Sequence, residues 1–286
     1  MDKLLFTGKN VIVQGITGSQ GQFHTHNMVA YGTNIVAGTS PTKAGTTFED
    51  IPVYASIRDI QQDFTVDTTV IFVPAAHAKA AIIEAIDAKI PLIVCITEHI
   101  PVHDMLVVRR KLEGGHSTLI GPNCPGILIP GNQLLGIIPA SLATPGDTAV
   151  VSRSGTLTYE AMDLLTKAGF GQKYIIGIGG DMVHGADFID CLKLFENNPD
   201  ITRIVMIGEI GGTDEIIAAD YIAEHVTKPV YAYITGHSAP AGVQMGHAGA
   251  ILGTDIHESA SAKTEYLAKA DAITAESIVT LIEKIK

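Results

Sequence analysis

Two apolar strands in this chain each run directly into a small-residue turn and then a helix, and few architectures accommodate that arrangement twice. Val11-Ile12-Val13 leads into Gly15-Ile16-Thr17-Gly18-Ser19-Gln20-Gly21, with a helix expected from about Gln20. Ala149-Val150-Val151 leads into Ser152-Arg153-Ser154-Gly155-Thr156-Leu157-Thr158-Tyr159-Glu160. Further strands are expected at 34–37, 70–73, 92–96 and 118–120, with helices over 77–89 and near 105–112. Gly121-Pro122-Asn123-Cys124-Pro125-Gly126 opens a Pro- and Gly-punctuated crossing that lasts to Pro145-Gly146. The pattern then restarts, with strands at 149–151, 174–176, 204–207 and 230–234 and a last helix over 275–284. Between these, Leu157, Ala161, Leu164, Leu165 and Ala168 make one apolar helix face. Continuous apolar strands alternating with amphipathic helices indicate parallel sheets covered on both faces. The fold class is therefore α/β, in two domains, as 286 residues also suggest.

Charge and cysteine usage exclude several roles. A net charge of −11 opposes nonspecific binding to nucleic acid or an anionic membrane. An anionic ligand therefore needs local donors such as helix N-termini. No apolar run reaches the ~18 residues of a membrane span. Cys95, Cys124 and Cys191 are odd in number and widely spaced, which points to a reducing compartment and no disulfide framework. No secretory or transit segment is read at Met1, so the expected location is the cytoplasm, or the mitochondrial matrix if a transit peptide has been removed.

Three stretches carry candidate chemistry. The turn with Gly15, Gly18 and Gly21 suits close approach of a diphosphate to a helix N-terminus, although Thr17 takes the place of the middle glycine of the dinucleotide fingerprint. The second strand ends without the acid that nicotinamide binders use for ribose. Lys43 stands there instead, which suits a ribose phosphate as in coenzyme A or NADP, or is a solvated lysine. Ser154-Gly155-Thr156 forms a second anion-type helix start, with Ser154 as N-cap. In Met245-Gly246-His247-Ala248-Gly249-Ala250, small neighbours allow a phosphate or another surface to approach the histidine ring. Glu209, in Ile207-Gly208-Glu209-Ile210-Gly211-Gly212, falls at a strand's carboxyl end and could hold one ring nitrogen of His247, leaving the other to attack. Glu98 falls at the matching edge of the first sheet, and Cys124 either lines a thiol site or is an inert core residue. The other histidines, His24, His26, His237 and His257 among them, read as surface or loop residues, and no metal site is expected. No P-loop is present.

With these segments together, the chain resembles the α subunit of succinyl-CoA synthetase (succinate–CoA ligase). The likeness is carried by Gly15 to Gly21, Gly121 to Gly126, Ser152 to Glu160, Gly208 to Gly212 and Gly246 to Ile251. It implies a Rossmann-like CoA-binding domain over 1–122 and a flavodoxin-like ligase domain over 123–286. It implies His247 as a phosphorylated histidine oriented by Glu209, and a phosphate site at Ser154, Gly155 and Thr156. Thr17, Gly18, Ser19, Gln20, Lys43, Val73, Pro74, Ile96, Thr97 and Glu98 would contact coenzyme A, and Tyr159 the substrate site. It further implies a β subunit, in an αβ or α2β2 assembly, that holds Mg²⁺ with ATP or GTP. The alternatives are a malate–CoA or other dicarboxylate–CoA ligase α subunit, a non-catalytic CoA-binding switch protein, and an NADP dehydrogenase. The switch gives no role to Glu209 or His247, and the dehydrogenase leaves the second half unexplained.

Overall fold

The computed structural model describes residues 10–240, 242–253 and 255–285. The chain packs as two compact units. One comprises residues up to Leu128 with Asn132–Ile138 and Val183–Gly185, and the other comprises Ile129–Gly131, Pro139–Met182 and Ala186 onward. No described helix is long and apolar enough to cross a membrane.

In the first unit the elements are β1 (Val11–Gln14), α1 (Ser19–Ala30), β2 (Ile35–Thr39), β3 (Thr47–Phe48), β4 (Ile51–Tyr54), α2 (Ile57–Asp63) and β5 (Thr68–Ile71). They continue with α3 (Ala75–Asp87), β6 (Leu92–Cys95), α4 (Val102–Leu112), β7 (Thr118–Ile120), β8 (Gly126–Ile129) and β9 (Gln133–Gly136). Strands β1, β5 and β6 are buried at every position, as expected of a sheet covered on both faces. The strand order is β3-β4-β2-β1-β5-β6-β7. Only the β3–β4 pair is antiparallel among these neighbours. The chain leaves β1 in one direction and returns on its other side as β5, so a crevice opens at the carboxyl ends of these two strands. Helix α3 seals one face with Ala78, Ala81, Ile82 and Ala85. Burying Ile82 completely contributes about 1.5–3 kcal/mol.

The second unit holds β10 (Pro145–Ser152), α5 (Gly155–Lys167), β11 (Gln172–Gly177), α6 (Phe188–Glu196), β12 (Arg203–Glu209) and α7 (Asp214–His225). It ends with β13 (Val230–Thr235), α8 (Ala260–Lys269), β14 (Ile273–Thr274) and α9 (Ile278–Glu283). Its parallel strands run in the order β14-β13-β12-β10-β11, with a switch point between β10 and β12. This is the flavodoxin-like order, and the first unit is Rossmann-like.

Several elements differ from the sequence expectation. The third strand stops at Ile71, so Val73 and Pro74 lie in the loop beyond it. Helix α5 buries Thr158, Ala161, Met162 and Leu165, while Ala168 is its exposed C-cap because the helix ends at Lys167. The crossing from 121 to 145 contains strands β8 and β9, all of whose residues are buried. The last helix begins at Ile278, where Ser277 and Thr280 form a capping box. His24 is no loop residue: it lies on α1 and stacks on Phe72, with ring centroids 5.4 Å apart. Burial lowers its pKa below the ordinary imidazole value. His184 is buried rather than at the surface.

Candidate active site

In the first unit, the turn after β1 is built by exclusion of side chains. A Cβ on Gly21 would stand 2.1 Å from the carbonyl oxygen of Gly15, so only glycine lets α1 start this close to the turn. Gly15 has φ +86°, and a Cβ there would lie 3.1 Å from Cγ1 of Val73. Gly18 is the N-cap of α1 and supplies no capping side chain, so the helix start offers its backbone N–H groups outward. Thr17, at the place where a glycine was the alternative, donates from Oγ1 to Oγ of Ser40 at 2.7 Å and ties the turn to the end of β2. Thr97 donates to the carbonyl of Val73 at 2.7 Å, joining the loops after β5 and β6. Gly18, Ser19, Gln20, Lys43, Pro74 and Glu98 are exposed, and Thr17, Val73, Ile96 and Thr97 are half-buried. These residues fall at the carboxyl edge of β1, β2, β5 and β6, in the loops there and, for Ser19 and Gln20, in the first turn of α1. The turn is thus a close backbone cradle at a helix start without a side-chain cap, the kind of place where anions commonly bind. Cys124 is buried and donates its thiol to the carbonyl of Cys95 at 3.3 Å.

In the second unit, the carboxyl ends of β10, β11 and β12 converge with the segment that follows β13. Register pairs Ser152 with Ile207, so Arg153 and Glu209 emerge side by side at the switch point. Glu209 is 2 % exposed, and its Oε2 lies 2.6 Å from Nδ1 of His247. The His247 side chain remains 26 % exposed. With Nδ1–H donating to the carboxylate, the lone pair of Nε2 is left for chemistry. The hydrogen bond to Glu209 raises the His247 pKa above the usual imidazole value, with help from the charges of Glu209 and Asp181. Burial and the positive charge of Arg153 oppose this rise.

Arg153 is 3 % exposed, although sequence reasoning assigned it no role. Its Nε stands 3.2 Å from Oε1 of Glu209, near enough for ionic attraction but out of line for a hydrogen bond. Its Nη1 lies 3.6 Å from Asp214 and 3.9 Å from Glu215, and its Nη2 donates to the Asp181 carbonyl at 3.4 Å. The one available signal was position: an arginine between two serines at a parallel strand's carboxyl end.

The ring of His247 is seated on Gly180, and two further glycines pack closely beside it. A Cβ on Gly180 would lie 2.3 Å from Cγ of His247. A Cβ on Gly249 would meet Nη2 of Arg153 at 2.7 Å, and one on Gly211 would meet the Gly249 carbonyl oxygen at 2.1 Å. Gly249 N donates to the Gly180 carbonyl at 2.9 Å, and Ala250 N closes back on the His247 carbonyl at 3.2 Å. Ser154 caps α5 by accepting from Leu157 N at 3.3 Å. Gly155 and Thr156 form the first turn of that helix, and Tyr159 is half-buried on its next turn.

The pH dependence follows from this geometry. Were Nε2 to act as a nucleophile toward phosphorus it would need the neutral ring, so the rate would hold above the raised pKa and fall as pH drops through it. Glu209→Gln removes the carboxylate that raises the pKa, so the inflection should move to lower pH. The amide can still accept a hydrogen bond, so phosphorylation should persist, slowed on the order of 10²-fold. Single-turnover phosphorylation between pH 5 and 9, followed by intact mass, measures both effects. An unmoved inflection would show that Glu209 does not set the titration.

Comparison with known proteins agrees with both halves. Residues 6–99 match the family described as CoA binding domain, and residues 151–273 match the family described as CoA-ligase. The chain is 52 % identical over 242 residues to succinate–CoA ligase [ADP-forming] subunit alpha 2 of Archaeoglobus fulgidus, covering 85 % of this chain and 84 % of that one. It is 44 % identical to subunit alpha 1 of the same organism, covering 100 % of this chain and 98 % of that one. Among solved structures, ATP citrate lyase from Methanothrix soehngenii, in complex with citrate and coenzyme A, superposes with a TM-score of 0.86 at 27 % identity. That match covers 99 % of this chain and 51 % of the longer one, so the chain spans about half of that enzyme. The chain belongs to the family of succinate–CoA ligase α subunits.

Proposed function

We propose that this chain is the α subunit of an acid–thiol ligase that forms succinyl-CoA, reversibly, from succinate, CoA and a nucleoside triphosphate through phosphorylated His247. The observation that carries the reading is the 2.6 Å contact between Nδ1 of His247 and buried Glu209, which fixes the tautomer and leaves Nε2 for attack. In the first step Nε2 attacks the γ-phosphorus, the N–P bond forms, and the bond to the departing nucleoside diphosphate breaks. Glu209 balances the positive charge that develops on the ring while Nδ1 keeps its proton. A succinate carboxylate oxygen then takes the phosphoryl group, breaking the N–P bond and giving succinyl phosphate. The CoA thiolate attacks the acyl carbon, phosphate leaves, and the thioester remains.

The anion-type helix start at Ser154, Gly155 and Thr156 supports a role in holding the phosphoryl group, and Tyr159 on the same helix supports a place at the substrate site. The cradle at Thr17, Gly18, Ser19 and Gln20, with Val73, Pro74, Ile96, Thr97 and Glu98 at the same sheet edge, supports CoA binding within 1–122, leaving ligase chemistry to 123–286. Mg²⁺ and the nucleotide are assigned to a β subunit, in an αβ or α2β2 assembly, on the likeness to succinate–CoA ligase α subunits, and the lack of a P-loop in this sequence is consistent with that. Unbridged, buried Cys95, Cys124 and Cys191 support a reducing compartment such as the cytoplasm.

The test is acid-labile labelling by γ-labelled nucleotide in the reconstituted complex, with the label mapped by peptide mass. A label on any residue but His247 would overturn the mechanism. Lys43, exposed after β2, tests the CoA half. Lys43→Ala should weaken CoA by roughly 1.5–3 kcal/mol, about 10- to 150-fold, while sparing dephospho-CoA. Calorimetry with both ligands decides, and equal losses would remove Lys43 from the ribose phosphate.

A further inference from the structure

Behind Glu209 lies a second pair of buried charges that the reaction as described does not use. Lys263, on α8, and Glu215, in the first turn of α7, are both 0 % exposed. All three N–H groups of the lysine are engaged. Its Nζ donates to the Glu209 carbonyl at 2.8 Å, to the Gly211 carbonyl at 2.6 Å, and to Oε2 of Glu215. The other oxygen of Glu215 accepts from the backbone N of Glu209 at 3.1 Å. The peptide groups on both sides of the Glu209 Cα are therefore held by one ion pair reaching in from two helices. Gly208 makes this possible, because a Cβ there would stand 2.6 Å from Cγ of Glu215.

A fully buried ammonium and carboxylate are costly to desolvate, and apolar residues of similar volume often serve stability as well or better. The pair's contacts are concentrated on the backbone of the residue that holds His247. Beyond Glu209, the chain turns through Gly211 and Gly212, at φ +85° and +60°, a stretch that glycine leaves soft unless something pins it. We propose that Lys263 and Glu215 are positioning residues that fix the backbone of Glu209 so that its carboxylate meets Nδ1 of His247. The proposal rests on the reading of His247 as the phosphorylated residue, and it deepens that reading.

The sign of a titration separates positioning from a charge effect. The charged groups around the ring are Glu209, Asp181 and Arg153, and Arg153 also faces Asp214 and Glu215. Lys263→Met removes a cation, which by field alone would raise the His247 pKa. Loss of the Glu209 contact would lower it. NMR titration of the His247 imidazole in the full chain, with the signal assigned by its loss in His247→Asn, reads this without nucleotide or partner. The expected result is a fall of about half a unit or more in Lys263→Met. Phosphorylation in the complex should slow roughly tenfold or more, with CoA affinity unchanged. The double variant Lys263→Met/Glu215→Gln removes both charges, leaves net charge unaltered and keeps an acceptor for Glu209 N. It should show the same fall if the single variant does not fold. A folded variant whose His247 titrates at or above the wild-type value would overturn the proposal, as would failure of both variants to fold, which would assign the pair a purely structural role. Labelling found elsewhere than on His247 would instead sink the underlying mechanism, while the titration would still report the Glu209 contact.

Discussion

His247→Asn should lose phosphorylation and ligase turnover to background, a fall on the order of 10⁶-fold, because the proposed covalent step runs through the ring nitrogen Nε2. The ring is seated over Gly180 and held by Glu209 at 2.6 Å, while Asn is shorter and lacks a nitrogen lone pair that could take a phosphoryl group. The fold should survive, since the His247 side chain is 26 % exposed and not part of the core. CoA affinity should also survive, because the glycine cradle of the first unit contains none of these residues. Intact mass after incubation with nucleotide and partner, kept away from acid, measures phosphorylation, and calorimetry measures CoA. Full phosphate incorporation by the variant would overturn the assignment of His247.

The second large effect should come from a residue with no side chain of its own. Gly180→Ala puts a Cβ 2.3 Å from Cγ of His247 and 2.4 Å from Nδ1, so the ring must move. The backbone of Gly180 has no positive φ that alanine would strain, so the clash is with the ring itself. A displacement near 1 Å is enough to cost roughly 10²-fold in rate. Overpacking should also cost about 1–3 kcal/mol of stability unless the segment around His247 shifts outward to relieve it. The phosphorylation rate should therefore fall far more than the melting temperature. A wild-type rate in Gly180→Ala would mean that the ring is not seated on this glycine during the reaction.

Both sheets and the pairing of Glu209 with His247 are legible in the sequence because they follow from strong local signals. Continuous Val and Ile runs mark buried parallel strands, and an acid placed just past such a run reaches the ligand edge. Helix α8 is not legible, and the reason is Lys263. Its buried face is Ala260, Lys263 and Leu267, so a charged residue stands where the periodicity calls for an apolar one. Strands β8 and β9 are hidden for a different reason: they lie in the Gly- and Pro-rich crossing, and such residues ordinarily mark loops. Arg153 stands in plain view between two serines, but its burial depends on Asp181, Asp214 and Glu215, which reach it only through the fold. Local pattern thus reveals the groups at the sheet edge and conceals the charges that brace them.

The glycines around the histidine bear on how such a chain can change over generations. At 180, 208, 211 and 249 the space a first side-chain carbon would need is held by His247, Glu215, a backbone carbonyl and Arg153. Every replacement available to a mutating glycine codon carries that carbon, so none of the four positions has a neutral neighbour in sequence space. Drift in the acid or nucleotide that the ligase accepts must then enter through residues outside this ring. A saturation library selected for growth on ligase activity would show four vacant columns there, set among positions such as Val243 and Met245 whose exposed side chains leave room to vary.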